Sequence, residues 1–136
     1  MYATKLKKAT YYKYIVKAYK MVDGKKVITG TSVAVHSITK AGKYGVAKAV
    51  SIIKIGNKKN DTEVTLKKGK TAQITAIEIK KDKKIKHHRN LYYESSNTKV
   101  VTVTSDGVIK AMRKGNCKIW VYAQNGIYKV ITVTVK

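Results

Sequence analysis

Proline and phenylalanine are absent from this chain, cysteine occurs once, and acidic residues number only 7 against 30 basic ones. Each shortage excludes something. The single Cys117 rules out an intrachain disulfide framework. It sits on the inward row of an alternating segment, which makes it a buried structural thiol; nothing local supplies the histidine or helix terminus that a reactive thiol needs. The acids Asp23, Asp61, Glu63, Glu78, Asp82, Glu94 and Asp106 are isolated among lysines. They offer neither the carboxylate pair of a glycoside hydrolase nor the clustered oxygens that calcium wants. No nucleophile elbow and no glycine-rich phosphate loop occurs, so no enzyme activity is expected. His87 and His88 are adjacent and would point to opposite sides of a strand, His36 is far away, and no carboxylate or cysteine stands at ligand spacing. No metal or other cofactor is expected. No apolar run approaches the roughly 18 residues a membrane-spanning helix requires, and no apolar stretch follows Met1–Lys5 to make a signal peptide.

What the chain has is charge of one sign: a net +23 at pH 7. Only Arg89 and Arg113 among the bases are arginine, whereas specific readout of DNA leans on arginine forks. No specific nucleic-acid partner is expected. Non-specific attraction to a polyanion stays open, with nucleic acid, wall teichoic acid, acidic polysaccharide and anionic lipid as candidates. So does a solvated, self-repelling surface that keeps the protein soluble. Hydrophobic residues make up 43% of the chain, enough for a packed core. Tyrosine, with 10 residues, takes the aromatic role.

Period-two alternation dominates the C-terminal half. Val101 and Val103 alternate with threonines, Ile109 and Ala111 with Lys110 and Met112, and Cys117, Ile119 and Val121 with Lys118, Trp120 and Tyr122. Ile131, Val133 and Val135 alternate with Thr132 and Thr134. One row of each segment faces a core and the other faces outward. Asp106-Gly107 and Asn125-Gly126 supply hairpin turns. Several short strands with turns between them indicate a sandwich or barrel. Upstream, 64–79 reads as two strand halves broken at Lys68-Gly69. Ile52, Ile53 and Ile55 beside Gly56 favour a strand over a short helix, and 80–89 reads as a basic, solvated loop or polyanion contact.

The order Tyr93, Ser95-Ser96-Asn97, Val100-Val101-Thr102-Val103, Gly107, Ile109, Ala111, Gly115, Ile119 resembles the bacterial immunoglobulin-like domain, group 2, of the intimin/invasin type. The resemblance covers about Ser51 to Lys136. Two departures are Tyr93, where many members carry tryptophan and whose hydroxyl needs a partner, and the basic insertion 80–90. The resemblance implies an immunoglobulin-like antiparallel β-sandwich in a cell-surface or secreted bacterial protein. It also implies that the chain is an excerpt of a longer precursor.

The first 40 residues resemble the end of a fibronectin type III domain. Leu6, Tyr12, Tyr14, Val16 and Ala18 fill the places of its sixth strand, with Tyr12 as the corner tyrosine whose hydroxyl bonds back to the backbone. Lys8 stands where that family often has proline. Asp23-Gly24 is a hairpin turn, 26–35 a returning strand, 32–39 the closing strand and 40–48 a linker. The expected organisation is a β-hairpin remnant of a fibronectin type III-like domain over 1–48 and the immunoglobulin-like domain over 49–136. A two-stranded hairpin is marginal alone, so the hairpin is expected to dock on the second module, the alternatives being pairing with another copy or mobility.

With Ile119 and Val121 inward, Trp120 and Tyr122 face out, with Tyr128 beside them. These three residues form the candidate ligand or packing patch. Exposed aromatics on a flat sheet suit stacking on sugar rings, whereas a cover provided by the hairpin or a neighbouring module removes an apolar patch from water. The functional expectation is a non-catalytic structural or adhesion module. The alternative is a module that binds polyanions or carbohydrate through its basic surface and this aromatic row. The expected partners are neighbouring domains of the same polypeptide, and cell-wall polyanions or glycans under the alternative.

Overall fold

The computed structural model describes residues 4–32, 34–39 and 45–136. Every regular element among them is a β-strand. Four strands form the N-terminal part: β1 (Tyr11–Tyr14), β2 (Lys17–Val22), β3 (Lys25–Thr31) and β4 (Val35–Ile38). Then follow β5 (Ala47–Ile55), β6 (Lys58–Lys59), β7 (Glu63–Leu66), β8 (Thr71–Lys80) and β9 (Tyr92–Ser95). The chain closes with β10 (Val101–Val103), β11 (Val108–Ala111), β12 (Gly115–Tyr122) and β13 (Tyr128–Val135).

Two sheets face each other. One has the order β10-β11-β8-β5-β6 and the other β7-β13-β12-β9. Pairing is antiparallel except for β7 beside β13, where Val64 lies level with Val133 in parallel register. The alternating rows meet in the middle: Val101, Ile109, Ile119, Val121, Ile131 and Val133 are all 0% exposed. Two inward faces interdigitating over one apolar layer is the arrangement of a β-sandwich. The fold expected of 49–136 is the fold observed.

On β5 the register against β8 shifts twice, between Ala47 and Ala49 and again between Ile52 and Lys54. Ile52 and Ile55 are both buried although three positions separate them, and Ile53 is left outside. The second shift is a bulge that puts both isoleucines back on the core side. Cys117 is buried and free. Its sulfur lies 3.1 Å from Ser95 Oγ and 3.4 Å from Ser96 Oγ. The Ser95 hydroxyl donates to the Val101 carbonyl (2.6 Å) and Ser96 Oγ accepts from Lys118 N–H (2.9 Å). The double serine thereby ties β9 to both sheets. Tyr93 packs on Gly107, at φ +89°, where an added Cβ would fall 2.8 Å from the Tyr93 ring. Burial, and then Asp106, pushes the Tyr93 hydroxyl above its ordinary pKa.

The N-terminal strands make one long hairpin with a break in it. β1 pairs with β4 and β2 with β3. At the break, Val16 N–H donates to Ser32 Oγ (2.9 Å) and Ser32 N–H returns to the Val16 carbonyl (2.8 Å). The returning strand expected over 26–35 is β3, which ends at Thr31, and the closing strand expected over 32–39 is β4. Residues 40–44 of the expected linker lie outside the described residues. Its last two do not belong to a linker: β5 begins at Ala47, two residues ahead of the expected boundary, because Asn125 grips the Ala47 backbone from across the sandwich end.

Candidate inter-module joint

The base of the hairpin, β1 with β4, sits on the outer side of β9 and β12. Outward residues of those two strands make its seat. Tyr122, at the end of β12, is only 3% exposed. Its hydroxyl donates to the Ala34 carbonyl at 2.8 Å, and its ring lies 4.3 Å from the His36 ring. Tyr11 of β1 stacks on Tyr92 of β9, with centroids 4.8 Å apart and planes at 8°. Offset aromatic pairs of this kind contribute about 0.5–1.5 kcal/mol beyond their buried area.

A carboxylate fixes the lateral position. Glu94 Oε1 is 2.6 Å from His36 Nε2 and 2.8 Å from Lys13 Nζ. Glu94 comes from β9, His36 from β4 and Lys13 from β1, where Lys13 and His36 are directly opposed. The His36 side chain is buried whereas Lys13 is half exposed. The histidine contact therefore carries more of the clamp, because solvent screens the lysine. Burial, followed by the negative charge of Glu94 and the neighbouring Tyr128, pushes the Tyr122 hydroxyl up to about 12. It stays protonated and able to donate.

The turn that follows β12 holds three more segments. Gln124 is 0% exposed and accepts the Arg89 N–H at 2.9 Å. Asn125 grips Ala47 twice: its Nδ2 donates to the Ala47 carbonyl (2.9 Å) and its Oδ1 accepts the Ala47 N–H (3.2 Å). Gly126, at φ +88°, lies so close to the His36 carbonyl that an added Cβ would overlap it. The basic loop before β9 is only partly a solvated loop. Residues 81–87 are exposed, but His88 is drawn in and pairs with Glu78 of β8.

The structure divides the three residues of the aromatic patch. Tyr122 lies under the hairpin and Trp120 is half-buried. A partly open cavity of about 250 Å³ beside Trp120 is also lined by Ile15, Thr31, Ser32 and Ala34. Tyr128 stays 55% exposed, its ring 5.5 Å from that of Tyr122. Two of the histidines are engaged on carboxylates, and no group of three or more potential metal ligands converges among the described residues. A groove of about 720 Å³ between β9 and the β10–β11 turn contains one carboxylate, Asp106, which the Thr104 hydroxyl engages. What these groups can do chemically is clamp one segment to another.

Sequence reasoning found Tyr122 and the Asn125-Gly126 turn but not what they hold. His36, Glu94 and Gln124 escaped it. His36 and Glu94 are 58 positions apart, and no local pattern announces such a pair. The one available signal was a histidine in an alternating segment of a part too small to bury it alone.

Comparison with known proteins fits this architecture. The profile of the bacterial Ig-like domain (group 2) matches residues 56–135, more than half of the chain. No curated protein matches. A crystal structure of the S-layer protein rSbsC(31-844) superposes with a TM-score of 0.51 at 16% identity, covering 98% of this chain and 21% of that one. A structure of domains 4 and 5 of the S-layer protein SbsC gives 0.49 at 15% identity, over 92% of this chain and 75% of that one. An intimin mutant from EHEC O157:H7 gives 0.42 at 19% identity, over 65% of this chain and 44% of that one. The present chain thus spans less than half the length of the intimin structure. The two-sheet sandwich built by these strands is what the profile match covers over more than half of the chain, and the chain belongs to the bacterial Ig-like domain (group 2) family.

Proposed function

We propose that the chain is a non-catalytic structural or adhesion module of a bacterial cell-surface or secreted multidomain protein. In this reading, the N-terminal part ahead of β5, which begins at Ala47, is the end of a fibronectin type III-like domain, and the joint holds it at a fixed angle to the immunoglobulin-like domain. The family is typically non-catalytic, and S-layer protein and intimin are the names carried by the structures above. The observation that carries the reading is the clamp of His36 and Lys13 on Glu94 beneath the Tyr122–Ala34 hydrogen bond. A spacer needs a joint that resists bending, and stacked rings with a buried charge-assisted bond supply one. The Tyr12 hydroxyl, which accepts the Lys7 N–H at 2.9 Å, supports the fibronectin-type reading of the hairpin, since a corner tyrosine bonds upstream backbone in this way. Of the aromatic row that a glycan reader would use, Tyr122 is spent on the joint, Trp120 is half-buried and Tyr128 stays exposed.

Spin labels at Val35→Cys, on the exposed side of β4, and Asn57→Cys test the rigidity. A single narrow distance distribution is expected, broadening in a His36→Ala background. A broad distribution in the otherwise unaltered protein would overturn the spacer reading.

A further inference from the structure

The end of the sandwich away from the hairpin has a different chemistry. β12 runs from that end at Gly115 to the joint at Tyr122, a distance of about 23 Å at strand rise. Two connections cover it. The β7–β8 turn carries Lys67, Lys68 and Lys70, and the β11–β12 segment carries Lys110, Arg113 and Lys114. Backbone bonds sew the two together: Gly69 N–H donates to the Ala111 carbonyl (2.8 Å) and Ala111 N–H to the Lys70 carbonyl (2.9 Å). Lys110 is directly opposite Thr71 in the ladder.

All six cations are exposed. No acidic residue occurs in 64–77 or in 107–136, and among the described residues none of the six takes part in an ion pair. Among the other lysines, Lys13 pairs with Glu94 and Lys58 with Asp61; what marks this end is that six cations share two adjoining connections that carry no acid. The ladder thus fixes six like charges at one end with nothing to neutralise them, which raises the local concentration of anions.

We propose that this end of the module is a docking site for a linear, phosphate-bearing polyanion. Three features select that class. The turn amides are occupied, Lys68 N–H by the Lys136 carbonyl (3.0 Å) and Lys70 N–H by the Lys67 carbonyl (3.0 Å), so no backbone cradle remains for one small anion. Recognition falls to flexible side chains, whose separate charges suit a ligand with repeated charges. Five of the six are lysines, point charges that bind phosphate without the fixed paired geometry of an arginine fork. The site is independent of the joint, so it stands or falls separately from the spacer reading.

The test is binding of long-chain inorganic polyphosphate to the whole chain, measured across a salt series. Binding is expected with a log–log salt slope of about −4, for about six neutralised charges. The variant Lys67→Glu, Lys70→Glu, Lys110→Glu, Lys114→Glu is expected to weaken binding at least about 100-fold and reduce the slope to about −1. A control with the same change in total charge, Lys17→Glu, Lys20→Glu, Lys25→Glu, Lys26→Glu on the exposed ribbon, should keep nearly all of it. Thermal melting of both variants verifies that they fold. Equal loss in the two variants would mean bulk charge and would overturn the site, as would absence of binding to the wild type. Equally tight binding of poly-glutamate of matched charge would overturn the phosphate assignment.

Discussion

Two antiparallel ribbons in this chain are written in similar residues and have opposite surroundings. In β12 and β13, Ile119, Val121, Ile131 and Val133 are 0% exposed; in β2 and β3, Tyr19, Met21, Val27 and Ile28 are between 42% and 57% exposed. β12 and β13 pair without interruption, and β2 and β3 pair along their length apart from one register shift between Ala18 and Tyr19. The difference is the second layer: β12 and β13 face another sheet, and β2 with β3 face none. Alternation therefore specifies that a strand has an apolar side, while burial depends on a partner surface. The base of the hairpin, β1 with β4, lies between the two cases, covered on one side by rings and a carboxylate rather than by aliphatic groups.

Substitutions ranked along this gradient sharpen the contrast. Ile131→Ala, in the dry layer, should cost on the order of 2–5 kcal/mol in urea unfolding, from lost transfer energy plus the cavity. Gly126→Ala should act on the joint: its left-handed backbone costs about 1–2 kcal/mol with any Cβ, and that Cβ meets the His36 carbonyl. Amides of β1 and β4 should then exchange faster than those of β12 and β13. Tyr122→Phe removes one hydrogen bond, worth about 1 kcal/mol. Ile28→Ala, on the unlayered ribbon, should change stability by less than about 0.5 kcal/mol; a loss as large as that of Ile131→Ala would break the comparison.

The tyrosine also gives a pH test. Docked, the Tyr122 hydroxyl is pushed up to about 12, while an undocked tyrosine titrates near about 10. A raised pKa means that the docked state holds its proton more tightly. Its contribution is complete below about pH 10 and is lost as pH rises toward about 12. The hairpin should loosen across that window, as seen in Trp120 emission, and Tyr122→Phe should lack this step.

Much of the sandwich was legible in the sequence because its determinants are local. Val101 and Val103, Ile109 and Ala111, and Ile131 to Val135 each show their inward side within a few residues. β5 was legible as a strand, but its bulge at Ile52–Lys54 was not, since a register shift is set by the partner strand. The joint was barely legible. Tyr122 was correctly placed on the outward row, yet whether that row met water, a sugar or the hairpin depended on His36 and Ala34, which are distant in sequence. Asn125-Gly126 was read as a turn, which it is; its hold on Ala47 and His36 arises only once the sandwich end has formed.

Amide hydrogen exchange on the whole chain tests the docking of the hairpin base most directly. Amides of β1 and β4 should be protected nearly as well as those of β9 and β12, while β2 and β3 exchange orders of magnitude faster. Uniformly fast exchange from β1 through β4 would show that the hairpin does not dock, and would contradict the account.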